Sequence, residues 1–114
     1  MKDTLFLLTP GFLDGDGAPY YCPYCTIFEG LLSLYPNLTS QIDVKRVAFA
    51  KPRADLLALL GAEHQSCPAL VLGAPLVSPL AGVQVNEANG RWFIDEPQDI
   101  GNYLSLTYGI PRPH

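Results

Sequence analysis

The sequence predicts an α/β fold in a single domain spanning residues 1–114. Three observations predict it. Short apolar runs bounded by turn residues read as buried strands. Helical periodicity begins directly after Cys22 and again near Asp95. The segments alternate, so that a strand–helix–strand unit with parallel pairing and a right-handed crossover comes first. Of the 114 residues, 48% are hydrophobic and 16% charged, which suits one core rather than a disordered segment.

The first strand is Thr4–Leu8, a continuous apolar run ended by Pro10-Gly11. Pro10–Tyr21 contains Gly11, Gly15, Gly17 and Pro19 and reads as loop. Ile27, Phe28, Leu31, Leu32 and Tyr35 recur at helical spacing and would line one buried face. Pro23 suits the first turn of that helix, and Pro36 ends it. Ile42, Val44, Arg46 and Val47 form a second strand, and Arg53–Leu60 a short helix closed by Gly61. Ala69–Leu72 is a third, fully buried strand, followed by a loop over Gly73–Pro79. Val83–Asn86 and Arg91–Ile94 read as a hairpin whose link includes Asn89-Gly90, a favoured tight-turn pair. Asp95 with Gln98 three residues on gives a capping-box pattern. The final helix then shows Ile100, Tyr103, Leu104 and Tyr108 on one face, and Gly109 and Pro111 stop it. The order βαβαββα implies a four-stranded mixed sheet with about three helices.

Charge and targeting narrow the function classes. The formal net charge of −4 gives no electrostatic case for nucleic acid or an anionic membrane as a partner. Lys45, Arg46, Lys51 and Arg53 cluster, and are expected on a solvated face rather than at an anion site. The run Leu5–Leu8 is shorter than a signal-peptide core of roughly 7–15 apolar residues. It is also far below the roughly 20 residues of a membrane span. The expected setting is cytoplasmic, where thiols are mostly reduced. Three cysteines form an odd set, two of them in a C-x-x-C, which points to redox or metal chemistry rather than a structural disulfide framework.

Cys22-Pro23-Tyr24-Cys25 carries that chemistry. Two thiols so spaced at a helix start come within disulfide reach. The first sits near exposed backbone N–H groups and the positive end of the helix dipole, which favour the nucleophilic thiolate. The second lies one turn inward, where it can resolve a mixed disulfide. Cys22 is therefore the candidate attacking thiol and Cys25 the resolving one. Zinc sites use the same spacing, so Cys22-x2-Cys25 with His64-x2-Cys67 forms an alternative Cys3His set for zinc, or a thiolate set for an iron–sulfur cluster. Cys67 thus has three readings: a third redox sulfur, a metal ligand, or a small buried apolar residue.

Cys-Pro-Tyr-Cys after a first strand resembles the active site of the glutaredoxins, members of the thioredoxin superfamily. Ser66-Cys67-Pro68-Ala69-Leu70-Val71-Leu72 is similar to the stretch where that superfamily places a cis-proline facing the dithiol. Glu96-Pro97-Gln98-Asp99-Ile100-Gly101-Asn102-Tyr103-Leu104 resembles the glutathione-binding stretch of glutathione-transferase N-terminal domains, with Pro97 in place of a serine. The chain as a whole most resembles a bacterial family of thioredoxin-like domain proteins. The resemblance implies a thioredoxin-like fold and thiol–disulfide oxidoreductase activity through Cys22 and Cys25. It implies a substrate groove at Tyr24, Cys67, Pro68 and Glu96, no bound cofactor, and glutathione as co-substrate. Tyr21 and Thr26-Ile27 flank the dithiol where glutaredoxins commonly carry a basic residue, leaving Lys51 or Arg53 as distant candidates for a carboxylate contact. Asp14 and Asp16 in the first loop would oppose a thiolate at Cys22 if they approached it. The sheet edge and the last helix leave a homodimer open.

Overall fold

The computed structural model describes all residues, Met1–His114. In chain order the elements are β1 (Thr4–Leu8), β2 (Phe12–Leu13), β3 (Pro19–Tyr20), α1 (Pro23–Leu34), α2 (Leu38–Gln41) and β4 (Asp43–Val47). They continue with α3 (Ala54–Leu60), β5 (Ala69–Val71), β6 (Asn86–Ala88), β7 (Arg91–Ile94) and α4 (Pro97–Tyr108). One mixed sheet of five strands runs β4-β1-β5-β7-β6, and β2 and β3 form a separate ribbon.

Every residue of β1 and β5 is buried. Successive side chains of a strand point to opposite faces, so such strands need cover on both sides. Leu5, Leu7, Leu70 and Ile94 pack with Phe28 and Leu32 of α1 and Ile100 and Leu104 of α4. Phe6, Ala69, Val71 and Phe93 pack with Leu56 and Leu60 of α3 on the other face. The result is three layers with the sheet in the middle. β1 pairs in parallel with β4 (Leu5↔Val44) and antiparallel with β5 (Leu5↔Leu70).

The structure alters several sequence expectations. The sheet has five strands rather than four: the strand after α3 and both strands of the hairpin all join it, one more than the order βαβαββα counts. Asn89 and Gly90 both have positive φ, as a two-residue hairpin turn requires, which pairs Ala88 with Arg91 and moves the first strand to Asn86–Ala88. A fourth helix, the single-turn α2, forms after Pro36 around buried Leu38, too short to show a period. The Pro10–Tyr21 loop holds the ribbon β2–β3. The last helix is capped by Glu96 rather than Asp95. Pro97 takes the first helical position and keeps the residue before it extended, so the N-cap falls on Glu96. Asp95 instead accepts a hydrogen bond from Asn86 Nδ2 at 3.3 Å. Ile27, expected in the core, is 53% exposed.

One end of the sheet is tied by Asp3. Its Oδ1 accepts from the Gly73 N–H at 2.7 Å, and its Oδ2 accepts from the hydroxyls of Tyr103 and Tyr108, both at 2.6 Å. Gly73 is required there: a Cβ would stand 2.0 Å from the Met1 carbonyl oxygen.

Burial, and then the bonds to Asp3, raise the pKa of both tyrosines above the ordinary 10.0. A raised folded-state pKa contributes stability that is complete below the unfolded value and declines above it. Thermal stability should therefore fall as pH rises past about 10. The double variant Tyr103→Phe, Tyr108→Phe should flatten that decline in a melting-temperature series. Asp3→Ala leaves two hydroxyls and an N–H without their acceptor and should cost about 3 kcal/mol in urea unfolding.

Candidate functional site

Pro23 occupies the first position of α1, where its missing N–H is no loss, and holds Cys22 in an extended conformation (φ −78, ψ 115). Cys22 therefore becomes the N-cap, and its Sγ accepts the Cys25 N–H at 3.1 Å. That geometry aims a backbone donor and the positive helix end at the sulfur, stabilising negative charge on it. One turn on, Cys25 is 2% exposed, with the Leu8 N–H 3.5 Å from its Sγ. Burial, reinforced by the hydrogen bond with Cys22, pushes the Cys25 thiol pKa well up. Cys25 therefore keeps its proton at neutral pH.

Cys67 precedes Pro68 across a cis peptide bond at the entry to β5. Its carbonyl oxygen lies 4.0 Å from Cys22 Sγ. Burial pushes the Cys67 thiol up to about 11, opposed by the charge and hydrogen bond of the Arg53 guanidinium. Three cysteines thus lie around the end of β1 and the start of β5, Cys22 and Cys67 half-buried and Cys25 buried.

Arg53 is the correction to the solvated basic face. It is only 8% exposed. Its Nε and Nη2 donate to the Phe49 carbonyl at 3.0 and 2.7 Å, and its Nη1 to the Gln65 carbonyl at 2.7 Å. Gln65 Oε1 accepts the Arg53 backbone N–H at 2.7 Å. The single ion pair of the structure is elsewhere, between Arg46 and Glu29 at 2.6 Å, so no carboxylate neutralises Arg53. Lys45 and Lys51 are exposed. Phe49 also carries the guanidinium 5.5 Å over its ring and stacks on Phe12 of the ribbon at 4.4 Å. Phe12 in turn stacks on Tyr20 at 6.3 Å. Asp16 accepts hydrogen bonds from the Ala18 N–H and the Tyr20 hydroxyl, within the ribbon.

A groove of about 790 Å³ runs beside this cluster. Tyr24, Cys67, Pro68 and Glu96 all line it. Cys22 and Cys25 are not among its lining residues; Cys22 adjoins it through Cys67. The floor also includes Ile27, Leu31 and Leu34 of α1, and a wall of Pro111, Arg112 and Pro113. The volume suits a ligand of drug-like size. The sequence contained the signal for the floor: Tyr24, Ile27, Leu31 and Leu34 form a second stripe at helical spacing beside the core stripe. The proline wall carried no such signal, because nothing local says where the chain end lies.

The alternative metal set is not assembled. His64 lies with its ring 5.0 Å from that of Phe93, which packs on the α3 side of the sheet, whereas Cys25 packs on the α1 side. No three or more His, Cys, Asp or Glu side chains come together as a metal-holding group, so Cys22, Cys25, His64 and Cys67 do not form the zinc or iron–sulfur site the spacing allowed. No helix is long and apolar enough to cross a membrane.

At neutral pH iodoacetamide should label Cys22 ahead of Cys67 and Cys25, read by peptide mass spectrometry. Burial holds the latter two protonated, so Cys67 labelling should keep climbing as pH approaches about 11. Equal labelling rates for the three thiols would contradict this electrostatic ordering.

No curated protein and no solved structure matches this chain. A family match does exist: the family described as "Protein of unknown function (DUF3088)" matches residues 2–112. That match spans nearly the whole chain, and the protein belongs to this family.

Proposed function

We propose that the protein is a thioredoxin-like, glutaredoxin-type thiol–disulfide oxidoreductase. The observation that carries this reading is the Cys22 sulfur at the N-cap of α1, receiving the Cys25 N–H at 3.1 Å while Cys25 itself is buried and protonated. A nucleophile with a stabilising donor and a proton-holding partner one turn away is the asymmetry that dithiol exchange needs.

The Cys22 thiolate attacks one sulfur of a disulfide RS–SR′. A Cys22–S–SR′ bond forms and RS⁻ leaves. The Cys25 thiol then gives up its proton to the departing sulfur and attacks Cys22 Sγ. R′SH leaves and a Cys22–Cys25 disulfide remains. Two equivalents of a thiol such as glutathione return the dithiol, so glutathione serves as co-substrate and no cofactor is bound. Pro68 and Tyr24 shape the groove beside the reacting sulfurs, and Glu96 at its rim is available to a cationic group of the substrate. The proposed setting is the cytoplasm, with thiols and disulfides rather than nucleic acid as partners; a homodimer remains compatible with the exposed edge strand β4.

A second reading, a binding module with an idle dithiol, is favoured by one observation. α1 leaves Tyr24, Ile27 and Leu34 exposed along the groove.

The two separate in one assay. The wild-type protein should reduce a glutathione mixed disulfide, and Cys22→Ser should fall to the uncatalysed background. Cys25→Ser should still take up one substrate half as a mixed disulfide. Equal rates for wild type and Cys22→Ser would discard the oxidoreductase reading in favour of the binding module.

A further inference from the structure

Cys67 is a nucleophile that the two-thiol cycle leaves unused. We propose that Cys67 is a second resolving thiol, able to release a substrate from Cys22 by forming a Cys22–Cys67 disulfide. The proposal rests on the oxidoreductase reading of Cys22 and extends it to a third sulfur.

Position is the first argument. Cys22 Sγ lies 4.0 Å from the carbonyl oxygen of Cys67, so the two residues touch. Access is the second. Cys67 lines the groove, whereas Cys25 is 2% exposed and lies beneath the start of α1. A group R′S that extends from Cys22 into the groove shares it with Cys67, while Cys25 lies buried beside Cys22. Charge is the third. Arg53 is buried with its N–H groups on carbonyl oxygens and no carboxylate beside it. Burial pushes the Cys67 thiol up to about 11, and the Arg53 charge opposes that rise by favouring the ionised form. A buried cation without a counter-ion is costly unless an anion forms next to it, and the attacking Cys67 thiolate is that anion.

The step balances. Cys67–SH loses a proton to the departing group as its sulfur attacks Cys22 Sγ. The Cys22–SR′ bond breaks, R′SH leaves and a Cys22–S–S–Cys67 bond forms. R′S leaves with the electron pair of the broken bond and the Cys67 sulfur supplies the pair of the new one; over both exchanges Cys22 and Cys67 together give two electrons, and the disulfide substrate is the oxidant.

The test removes Cys25 so that Cys67 acts alone. The Cys25→Ser protein is treated with one equivalent of an aromatic disulfide whose released thiolate is coloured. The proposal expects two coloured thiolates per protein and a mass-mapped disulfide joining residues 22 and 67. Adding Cys67→Ala should leave one coloured thiolate and a persistent adduct on Cys22, with adduct decay slowed at least about tenfold. Adducts equally long-lived in both proteins, with no 22–67 linkage, would overturn the proposal while leaving Cys22 as a nucleophile. No adduct on Cys22 in either protein would instead overturn the parent reading, and this one with it. Cys25→Ala gives the same readout if a buried serine disturbs the fold, and the 22–67 mass in that single variant does not depend on the Cys67 substitution folding.

Discussion

The structure depends on the two-sided burial of β1 and β5. Neither strand offers a polar face, so neither can lie at the surface of a single layer. Helices must cover both sides, and the alternation of Leu5 and Leu7 against Phe6 decides which helix covers which. The pairing of the two strands then fixes the site. Because they run antiparallel, with Phe6 opposite Ala69, the exit of β1 and the entry of β5 lie at the same end of the sheet. The chain leaving β1 leads to Cys22, and the chain entering β5 arrives through Cys67 and Pro68. Residues 45 positions apart are thereby neighbours without any contact of their own needing to hold them.

The two ends of the sheet are treated oppositely. At the start of β1, Asp3 gathers the Gly73 N–H and two tyrosine hydroxyls, and its carbonyl accepts the Asp43 N–H at 2.9 Å. Polar groups there are paired with one another. At the far end, the charge of Arg53 faces carbonyl dipoles and a sulfur, with no acid to cancel it. Stability is concentrated where the chain is closed by Asp3, and unspent electrostatic potential where the thiols lie. This division lets one small core carry both a firm fold and a polarised cluster of sulfurs.

The strands most visible in the sequence were those whose apolar runs needed no partner to recognise. Thr4–Leu8 and Ala69–Val71 announce two-sided burial directly, and Pro23 after Cys22 announces the start of α1. The groove residues Tyr24, Cys67, Pro68 and Glu96 could be named only through the family resemblance of the motifs that contain them; nothing in their local pattern brings them together. Arg53 could not be seen. Its basic neighbours suggested solvent, and only the tertiary placement of the Phe49 and Gln65 carbonyls makes a buried guanidinium tolerable. The exposed position of Ile27 was hidden for the converse reason. A helix with two adjacent apolar stripes gives one broad periodic signal, and only packing decides which stripe is covered. His64 was drawn into a metal set by spacing along the chain, while the sheet between Phe93 and Cys25 keeps the two apart.

The stack from Tyr20 through Phe12 and Phe49 to Arg53 joins the β2–β3 ribbon to the interior. The rings add apolar contact along the stack, and the carbonyls of Phe49 and Gln65 fix the guanidinium at its inner end. The ribbon leads straight into Cys22, so the stack ties the segment entering α1 to the buried guanidinium. One aromatic column thus joins two segments distant in the chain, the ribbon ahead of Cys22 and the arginine behind Cys67.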